Sequence, residues 1–520
     1  MNEKTRHAKA KTPGAQGLIF DEPVIFELGS PGRSACDPPA DDMPDVDIET
    51  LLPPAEVRGE IDSLPELSEP DVVRHFTRLS QWNFGIDTNF YPLGSCTMKY
   101  NPKINDALAQ LPRFAGHHPL TPDEFSQGTL RLMFELQEYL QEIGGMDRVS
   151  LQPAAGAQGE LAGMLMIHAW HAAQGAARHK ALLPDSAHGT NPASAALCGY
   201  EAVPIPSDAE GLIDTGKLSA LMDEDTAAIM LTNPNTLGKF ERNIRQITGI
   251  VHEKGGLVYC DGANLNALMG VAKMGDMGID VLHFNLHKTF STPHGGGGPG
   301  AGPIGVKDFL EPFLPVPMLE HGRSGYRLNY DRPQSIGKLR AFYGNFAILL
   351  RAYAYIRALG AEGIRWAARA AVLNANYVRA KLENHFHTPF PGPCLHECVF
   401  SDKNLAPRKV STLDVAKALI DYGFHPPTIY FPLIVKGALM IEPTETESRE
   451  TLDQFIEAMQ AIARTAETDP ESFHDAPRRA KVSRPNETRA ARQPVLRWKP
   501  SINTDKLNFP WNCGHAKKYG

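Results

Sequence analysis

The chain has 520 residues, so we expect it to fold into two or more structural units. Its formal net charge of −8 provides no basic surface of the kind that nucleic-acid binding requires. Hydrophobic residues make up 42% and charged residues 22%, as in soluble globular proteins, and no apolar run is long enough to span a membrane.

The N-terminus and the cysteines indicate the cellular compartment. The first residues are polar and lack the apolar core of a secretory signal. The seven cysteines are odd in number and have no paired metal-ligand spacing. We therefore expect reduced thiols, a cytoplasmic protein and no metal site.

The first 125 residues form an N-terminal arm and loops in this interpretation. They are rich in proline and acidic residues near the start, with one helix predicted over Glu69–Gln81. The proline-framed segment Tyr91–Pro102 has small polar residues around Lys99, as either a plain connection or a functional loop would. An amphipathic helix is predicted over Gln127–Ile143, with two glycines as its stop.

Residues 126–330 alternate between short apolar runs and helical segments, for example the helix predicted over 158–173. Such alternation is typical of a mostly parallel sheet covered by helices, an α/β fold. The predicted strands are Arg148–Gln152, Lys180–Leu183, Ala202–Pro206, Ala227–Thr232, Leu257–Cys260, Val281–Asn285 and Pro303–Val306.

The pattern changes after residue 330. Long helices are predicted over Ile336–Leu359 and Ala361–Leu382, and apolar runs near Cys398–Phe400 and Leu439–Glu442 precede a helix near Ser448–Ala463. Residues 331–465 are therefore predicted to form a smaller C-terminal α+β domain. Residues 466–520 are a basic, proline-rich tail whose Trp498 and Trp511 favour wrapping on a partner surface.

Several small-residue segments follow predicted strands, at the sheet edge where open α/β sheets bind ligands. Gly156, Ala157 and Gln158 start a helix, where free backbone N–H groups can hold a phosphate; a tight glycine turn is the alternative. His188 lies between small residues and can face a planar ligand, or simply be exposed at a capped helix start. Asn235 lies in a polar turn that is compatible with an ordinary Asn-Pro turn.

Asp261 ends one predicted strand, and Lys288 follows the end of the next. A buried carboxylate needs a cation or hydrogen-bond donors, and a lysine at the edge of a buried sheet can serve as a Schiff-base amine. Taken alone, His287-Lys288 before the run from Gly295 to Gly298 could be a surface pair before a flexible loop. Together, the acid and the amine form the arrangement that pyridoxal phosphate requires.

This pairing resembles the aspartate-aminotransferase-like, fold type I enzymes, which use pyridoxal phosphate. The longer strings resemble glycine dehydrogenase (decarboxylating), the P-protein family of the glycine cleavage system, and within it the second, lysine-bearing subunit. The resemblance runs from about Glu22 to Pro494. It rests on Tyr91–Pro102, His188–Ser194, Thr232–Gly238, Asp261–Asn264 and Leu286–Gly302.

The resemblance implies a role for each matching residue. Lys288 would hold the cofactor as a Schiff base, Asp261 would keep the pyridine nitrogen protonated, and His188 would stack on the ring. The remaining contacts are weaker inferences: phosphate contacts from Gly156, Ala157, Gln158 and His287, completed by the Gly295–Gly298 run, and a ring-hydroxyl contact from Asn264 or Asn235.

The family would decarboxylate glycine and transfer the aminomethyl group to the lipoyl arm of the H-protein, together with a first, α-type subunit in an α2β2 assembly. Tyr91–Lys99 would then line the lipoyl channel or bind the glycine carboxylate. Two alternatives remain open at this point. One is another fold type I amino-acid decarboxylase that releases a free amine. The other is a non-catalytic subunit, which the presence of both Asp261 and Lys288 disfavours.

Overall fold

The computed structural model describes residues 22–497, except 37–38, 41, 43, 58–63, 296–299 and 481. The chain divides into two compact units, one of residues 85–479 and one of residues 1–84 with 480–520. Within the described ranges, no helix is both long and apolar enough to cross a membrane. The predicted boundaries at residues 125, 330 and 465 stay predictions, and Trp498 and Trp511 lie outside the described residues.

The strands are β1 (Arg148–Ser150), β2 (Lys180–Pro184), β3 (Glu201–Ile205), β4 (Thr226–Thr232), β5 (Leu257–Gly262), β6 (Val281–Phe284), β7 (Ile304–Val306), β8 (Met318–Gly322), β9 (Gly325–Asn329), β10 (Cys398–Ser401), β11 (Thr428–Ile429) and β12 (Ala438–Ile441). The helices are α1 (Glu69–Ser80), α2 (Lys103–Ala109), α3 (Pro112–Ala115), α4 (Gln127–Gly144), α5 (Gly156–Ala173), α6 (Thr190–Leu197), α7 (Thr215–Leu221), α8 (Ile244–Glu253), α9 (Leu286–Thr289), α10 (Phe346–Leu382), α11 (Thr412–Asp421), α12 (Arg449–Thr468) and α13 (Glu487–Arg492).

A seven-stranded sheet in the order β1-β7-β6-β5-β4-β2-β3 forms the centre of the larger unit. The run β3-β2-β4-β5-β6 is parallel, and β7 is antiparallel to both of its neighbours. All seven predicted strands are present in this sheet, and the mostly parallel α/β fold is confirmed. The carboxyl ends of the five parallel strands meet at one edge, so the segments that follow them are neighbours.

Both faces of the sheet are covered by apolar side chains. The central strands β4, β5 and β6 are hydrophobic runs rather than alternating patterns because both of their faces are covered; every residue of these three strands is buried. One face packs against α4, α8 and the first half of α10, through residues such as Leu136, Ile247 and Leu349. The other packs against α5 through Met164 and Ile167.

A second hydrophobic core lies in the C-terminal part of the larger unit. The antiparallel sheet β10-β12-β11 and helices α11 and α12 bury residues such as Phe400, Leu419 and Phe455. Ser411 begins α11 with a capping box to Asp414. The predicted apolar runs and terminal helix are thus confirmed as β10, β12 and α12.

Two features differ from the sequence-based expectation. The helix expected from Ile336 begins only at Phe346. The predicted break between the two helices is confirmed as a kink at Gly360 within α10, where φ is 61° and ψ is −176°, a conformation that glycine adopts readily. The β8–β9 hairpin was not predicted at all.

The smaller unit contains the predicted helix α1, which begins at the N-cap Ser68. Glu22 is buried and accepts hydrogen bonds from His75 and Arg78 of this helix. Hydrogen bonding from Arg78 lowers the pKa of Glu22 despite burial. The segment that begins at Glu22 is therefore fixed to α1 by ion pairs with His75 and Arg78.

Candidate active site

Two neighbouring parallel strands bring the predicted acid and amine to the same edge of the sheet. Strands β5 and β6 pair with Asp261 opposite His283, and β6 then runs into α9, which carries Lys288. Although part of the surface of His188 is exposed, desolvation of its imidazole lowers its pKa most; the positive charge of Lys288 lowers it further, and the negative charge of Asp261 opposes both. This shared neighbour supports the predicted pairing of Asp261 and Lys288, which stays a prediction.

Asp261 is only 3% exposed and is held by hydrogen bonds from its own sheet edge. Its Oδ1 accepts the N–H of Ala263 at 2.9 Å, and its Oδ2 accepts Nδ2 of Asn191 at 3.4 Å. Nε2 of His283 lies 3.2 Å from Oδ1, and Nδ1 of His283 lies 2.5 Å from the hydroxyl of Tyr259. Burial lowers the pKa of His283, so its imidazole is neutral.

His188 is exposed after the end of β2, with one ring nitrogen held in place. Its Nδ1 lies 2.8 Å from Oγ1 of Thr190, and the Thr190 hydroxyl donates to Oε1 of Glu160 at 2.8 Å. Burial, followed by the charge of Asp261, raises the pKa of Glu160 to about 7. The ring of His188 is thereby oriented from α5, while its stacking on a cofactor stays a prediction.

The predicted phosphate-binding turn is the first turn of α5. Its backbone N–H groups have no partner within the helix. A Cβ on Gly156 would lie 2.5 Å from Oδ1 of Asn285, so only glycine fits there. The side chain of Gln158 accepts the N–H of Ala154 and donates to the carbonyl of Leu339, which leaves its backbone N–H for an anion.

The two asparagines proposed for the ring hydroxyl are both buried and bonded to the protein. Asn264 donates to the carbonyls of Pro234 and Asn235 at 2.9 and 3.4 Å. Asn235 accepts two backbone N–H groups through Oδ1 and donates to Gly211 through Nδ2. These bonds shape the turn after β4 and disfavour Asn235 as a direct ring contact.

His287 is also in place beside Lys288. Its Nδ1 accepts the N–H of Ala301 at 3.4 Å, its ring lies 5.1 Å from that of His294, and burial lowers its pKa to about 3. A neutral imidazole can donate to a phosphate but does not attract it by charge. Of the predicted glycine run, 296–298 lie outside the described residues.

Lys99 has a structural role that sequence reasoning missed. Its ammonium group is buried and donates to Glu445 at 2.7 Å, to Asn266 at 2.8 Å and to the carbonyl of Thr289 at 2.8 Å. Three acceptors use all three N–H groups, so Lys99 is not free to bind a substrate carboxylate. The remainder of Tyr91–Lys99 stays a prediction for the lipoyl channel.

Sequence reasoning also missed His283, Asn191 and Glu160. His283 is a polar residue inside the predicted strand Val281–Asn285, directly before Lys288 and its neighbours, and that polar position in an apolar run was the available signal. Strand pairing, rather than any local motif, brings it to Asp261.

The side chains present fit pyridoxal phosphate. Among the described residues, Asp261 forms no ion pair with a lysine or arginine, although a buried carboxylate is costly without a cation. Oδ1 of Asn191 and Oδ1 of Asn285 are buried without partners near this edge. A protonated pyridine nitrogen would supply the missing cation, and the first turn of α5 would receive the phosphate.

Comparisons with known proteins agree with this geometry. The family described as Aminotransferase class-V matches residues 159–298. A crystal structure of an inhibitor-bound glycine decarboxylase (P-protein) aligns with TM-score 0.68 at 22% identity, over 80% of this chain and 94% of that one. A cysteine desulfurase from Escherichia coli aligns with TM-score 0.57 at 16% identity, over 75% and 97%. Fold and site together define a pyridoxal-phosphate enzyme of fold type I.

Comparison with curated relatives identifies the family within this class of enzymes. A probable glycine dehydrogenase (decarboxylating) subunit 2 from Halalkalibacterium halodurans is 55% identical over 92% of this chain and 98% of its own length. The protein of the same description from Caldanaerobacter subterraneus is 56% identical over 91% and 98%. The family described as Glycine dehydrogenase, C-terminal domain, matches residues 367–479. The chain belongs to the glycine dehydrogenase (decarboxylating) subunit 2 family; it is an enzyme subunit with a partner subunit.

Proposed function

We propose that this chain decarboxylates glycine with pyridoxal phosphate and passes the aminomethyl group to the lipoyl arm of the H-protein, as part of the glycine cleavage system. The pairing of Asp261 and Lys288 at the ends of β5 and β6 carries this proposal. The second-subunit description of the relatives supports a first, α-type subunit as partner in an α2β2 assembly. The described cysteines are free, which supports the cytoplasm.

The cofactor supplies an electron sink for the pair of electrons left when carbon dioxide departs. Lys288 is the residue for its covalent attachment, because its half-buried amine follows β6 on the edge that carries Asp261. Asp261 would hold the proton on the pyridine nitrogen, and the N–H of Ala263 and Nδ2 of Asn191 hold Asp261 in position. His188 would cover one face of the ring.

Phosphate binding falls to the first turn of α5. Gly156 allows close approach, and the N–H groups of Gly156, Ala157 and Gln158 point along the helix axis toward an anion. His287 adds a neutral donor. Because α5 packs against the central sheet, a phosphate bound at its first turn would be held at a fixed place relative to Lys288.

Spectroscopy tests the attachment site first. The purified chain should give a visible absorbance band with pyridoxal phosphate, and borohydride reduction should mark the peptide that contains Lys288. Lys288→Ala should lose the band, whereas Lys273→Ala should keep it, since Lys273 is an exposed residue paired with Glu142. Labelling of any other lysine would overturn the assignment.

Isotope exchange then tests the reaction. With the first subunit and a lipoylated H-protein, the chain should exchange labelled bicarbonate into the carboxyl group of glycine. The exchange should vanish when the H-protein lacks its lipoyl group. Release of free methylamine without that carrier would instead support another fold type I decarboxylase.

A further inference from the structure

Three buried polar residues in the C-terminal part of the larger unit lie close together, and none of them has a role in the site described above. His396 and Glu397 directly precede β10, and Glu442 directly follows β12. Because β10 and β12 are antiparallel with Cys398 opposite Ile441, these residues meet at the same end of the sheet. All three are completely buried.

Each carboxylate is bonded through one oxygen only. Oε2 of Glu397 accepts the N–H of Ser95 at 2.9 Å, and Oε2 of Glu442 accepts the N–H of Thr97 at 3.0 Å. Within the part of the chain that the structure describes, the other oxygen of each glutamate and both ring nitrogens of His396 have no hydrogen-bond partner. Buried polar atoms are rarely left in this state, so four such atoms together indicate a ligand.

The spacing of these atoms fits a small cation with several N–H groups. One ligand atom from each residue lies within 4.8 Å of the other two, and Nε2 of His396 lies 3.8 Å from Oε1 of Glu397. The measured pair is too far apart for a direct hydrogen bond. Acceptors that share one ammonium nitrogen, each about 2.9 Å from it, lie within about 5 Å of one another, and the three atoms meet this limit.

The protonation states agree with this reading. Burial, and then the charge of Lys288, lowers the pKa of His396 to about 3, so its imidazole is neutral and offers an acceptor. Burial raises the pKa of Glu442 to about 7, and burial with Glu442 raises that of Glu397 further. A bound cation favours the ionised form of both carboxylates, which removes the cost of two adjacent buried acids.

The cluster also lies at the active site. The carbonyl of Cys96, in the loop that the carboxylates hold, accepts Nε2 of His294 at 2.9 Å, and the ring of His294 lies 5.1 Å from that of His287, the residue before Lys288. In agreement with this placement, the positive charge of Lys288 lowers the pKa of each of the three cluster residues. The loop that the carboxylates hold has Ser95 at φ 67° and Thr97 at φ 45°, which non-glycine residues rarely adopt. Such backbone persists where a functional site requires it.

We propose that His396, Glu397 and Glu442 bind the α-ammonium group of the substrate glycine beside Lys288. This inference rests on the proposed function and names the part of the site that recognises the substrate amine. Transfer of a proton to Oε1 of Glu442 breaks one N–H bond and forms one O–H bond. The nitrogen then has the lone pair that displacement of Lys288 requires.

The test is a glycine titration of the holoenzyme, followed through the visible absorbance of the cofactor. Glu442→Gln and Glu397→Gln keep the side-chain volume and should weaken apparent glycine affinity at least tenfold. Acetate has a carboxylate but no ammonium group. Its affinity, measured by competition with glycine, should therefore be the same in the variants and in the wild type. Glu241→Gln is the matched control, since Glu241 is a buried acid in the turn after β4.

Two results would overturn the proposal. One is unchanged glycine affinity in both glutamine variants when their circular dichroism and cofactor affinity match the wild type. The other is a stoichiometric divalent metal in the purified chain that is lost in Glu442→Gln, because the cluster would then be a metal site. Failure of the proposed function is separate: wild type itself would form no absorbance band with the cofactor.

Discussion

Nε2 of His283 lies 3.2 Å from Oδ1 of Asp261, and the two residues are cross-strand partners on β6 and β5. A second contact, from the Tyr259 hydroxyl to Nδ1, fixes the other side of the imidazole. Asp261 is itself held on both oxygens, because Oδ1 accepts the N–H of Ala263 and Oδ2 accepts Nδ2 of Asn191. Orientation of Asp261 is a property of the sheet, not of a flexible loop.

We expect Asp261→Asn to weaken cofactor binding and glycine exchange by about tenfold to a hundredfold, because a hydrogen bond to a charged group contributes about 1.5–3 kcal/mol. His283→Phe keeps a planar ring but loses both nitrogens, and its effect should be smaller and in the same direction. For each variant, titration with pyridoxal phosphate measures cofactor binding and the bicarbonate exchange measures the reaction. Full cofactor affinity in Asp261→Asn would show that the acid does not contact the ring nitrogen.

The buried ion pair of Lys99 and Glu445 should be essential for stability. Burial alone lowers the pKa of Lys99, but the charges of Glu445 and Tyr355 outweigh it, so the pKa stays above its usual value and the ammonium remains charged. Lys99→Met leaves Glu445 buried and unpaired, which costs about 3–5 kcal/mol. Urea denaturation followed by circular dichroism measures this loss.

Lys103→Met is the matched control for that variant. Lys103 pairs with Asp87 at 2.6 Å, but both side chains are more than half exposed. Exposed pairs contribute about 0–1 kcal/mol, so its denaturation midpoint should hardly move. Equal losses in the two variants would refute a special role for the buried pair.

The sheet and the reactive pair could be predicted from local sequence. The central strands β4, β5 and β6 are short apolar runs, so burial on both faces gave them a recognisable sequence pattern. Asp261 and Lys288 each follow such a run, and parallel strands bring their ends together. The prediction of neighbouring parallel strands was therefore enough to expect both residues at the same edge of the sheet.

Other parts of the site depend on pairings that no local pattern encodes. Glu397 and Glu442 are 45 positions apart and meet only through β10 and β12. Lys99 looked like a free cation in a polar loop, because its partners lie far along the chain. The start of α10 was misplaced by ten residues since the segment from Ile336 has helical spacing without helical structure.

Gly156 should tolerate no side chain. In Gly156→Ala the new Cβ would lie 2.5 Å from Oδ1 of the buried Asn285, and shifts of this kind cost about 1–3 kcal/mol. The displaced turn should also weaken binding of the cofactor phosphate. A titration with pyridoxal phosphate and a thermal melt measure the two effects.

Gly249→Ala, in another helix, should stabilise the protein, in contrast to Gly156→Ala. Gly249 lies inside α8, and a Cβ there would meet nothing within 4 Å. Alanine is the better helix former, so this variant should gain about 0.5–1 kcal/mol and bind cofactor normally. Stabilisation of Gly156→Ala as well would contradict the steric account.

Glu241 should make stability depend on pH in a defined direction. It is 2% exposed, its Oε2 accepts the N–H of Ile213 at 2.9 Å, and burial raises its pKa to about 7. The unfolded chain loses this proton near pH 4.5, whereas the folded chain keeps it until about pH 7. The stabilisation that this protonated carboxyl provides is therefore fully present below pH 4.5. It is lost as pH rises through 7, which lowers the free energy of unfolding by up to about 3 kcal/mol.

Glu241→Gln removes this titration while keeping an acceptor for Ile213. Between pH 5 and pH 8, the urea midpoint of the variant should therefore rise relative to that of the wild type. All other titrating groups are the same in both proteins, so their effects cancel in this difference. Glu210→Gln, at an exposed carboxylate paired with Arg242, should show a pH-independent difference. A constant difference for Glu241→Gln over the same range would mean that this carboxyl is already ionised in the folded protein at pH 5.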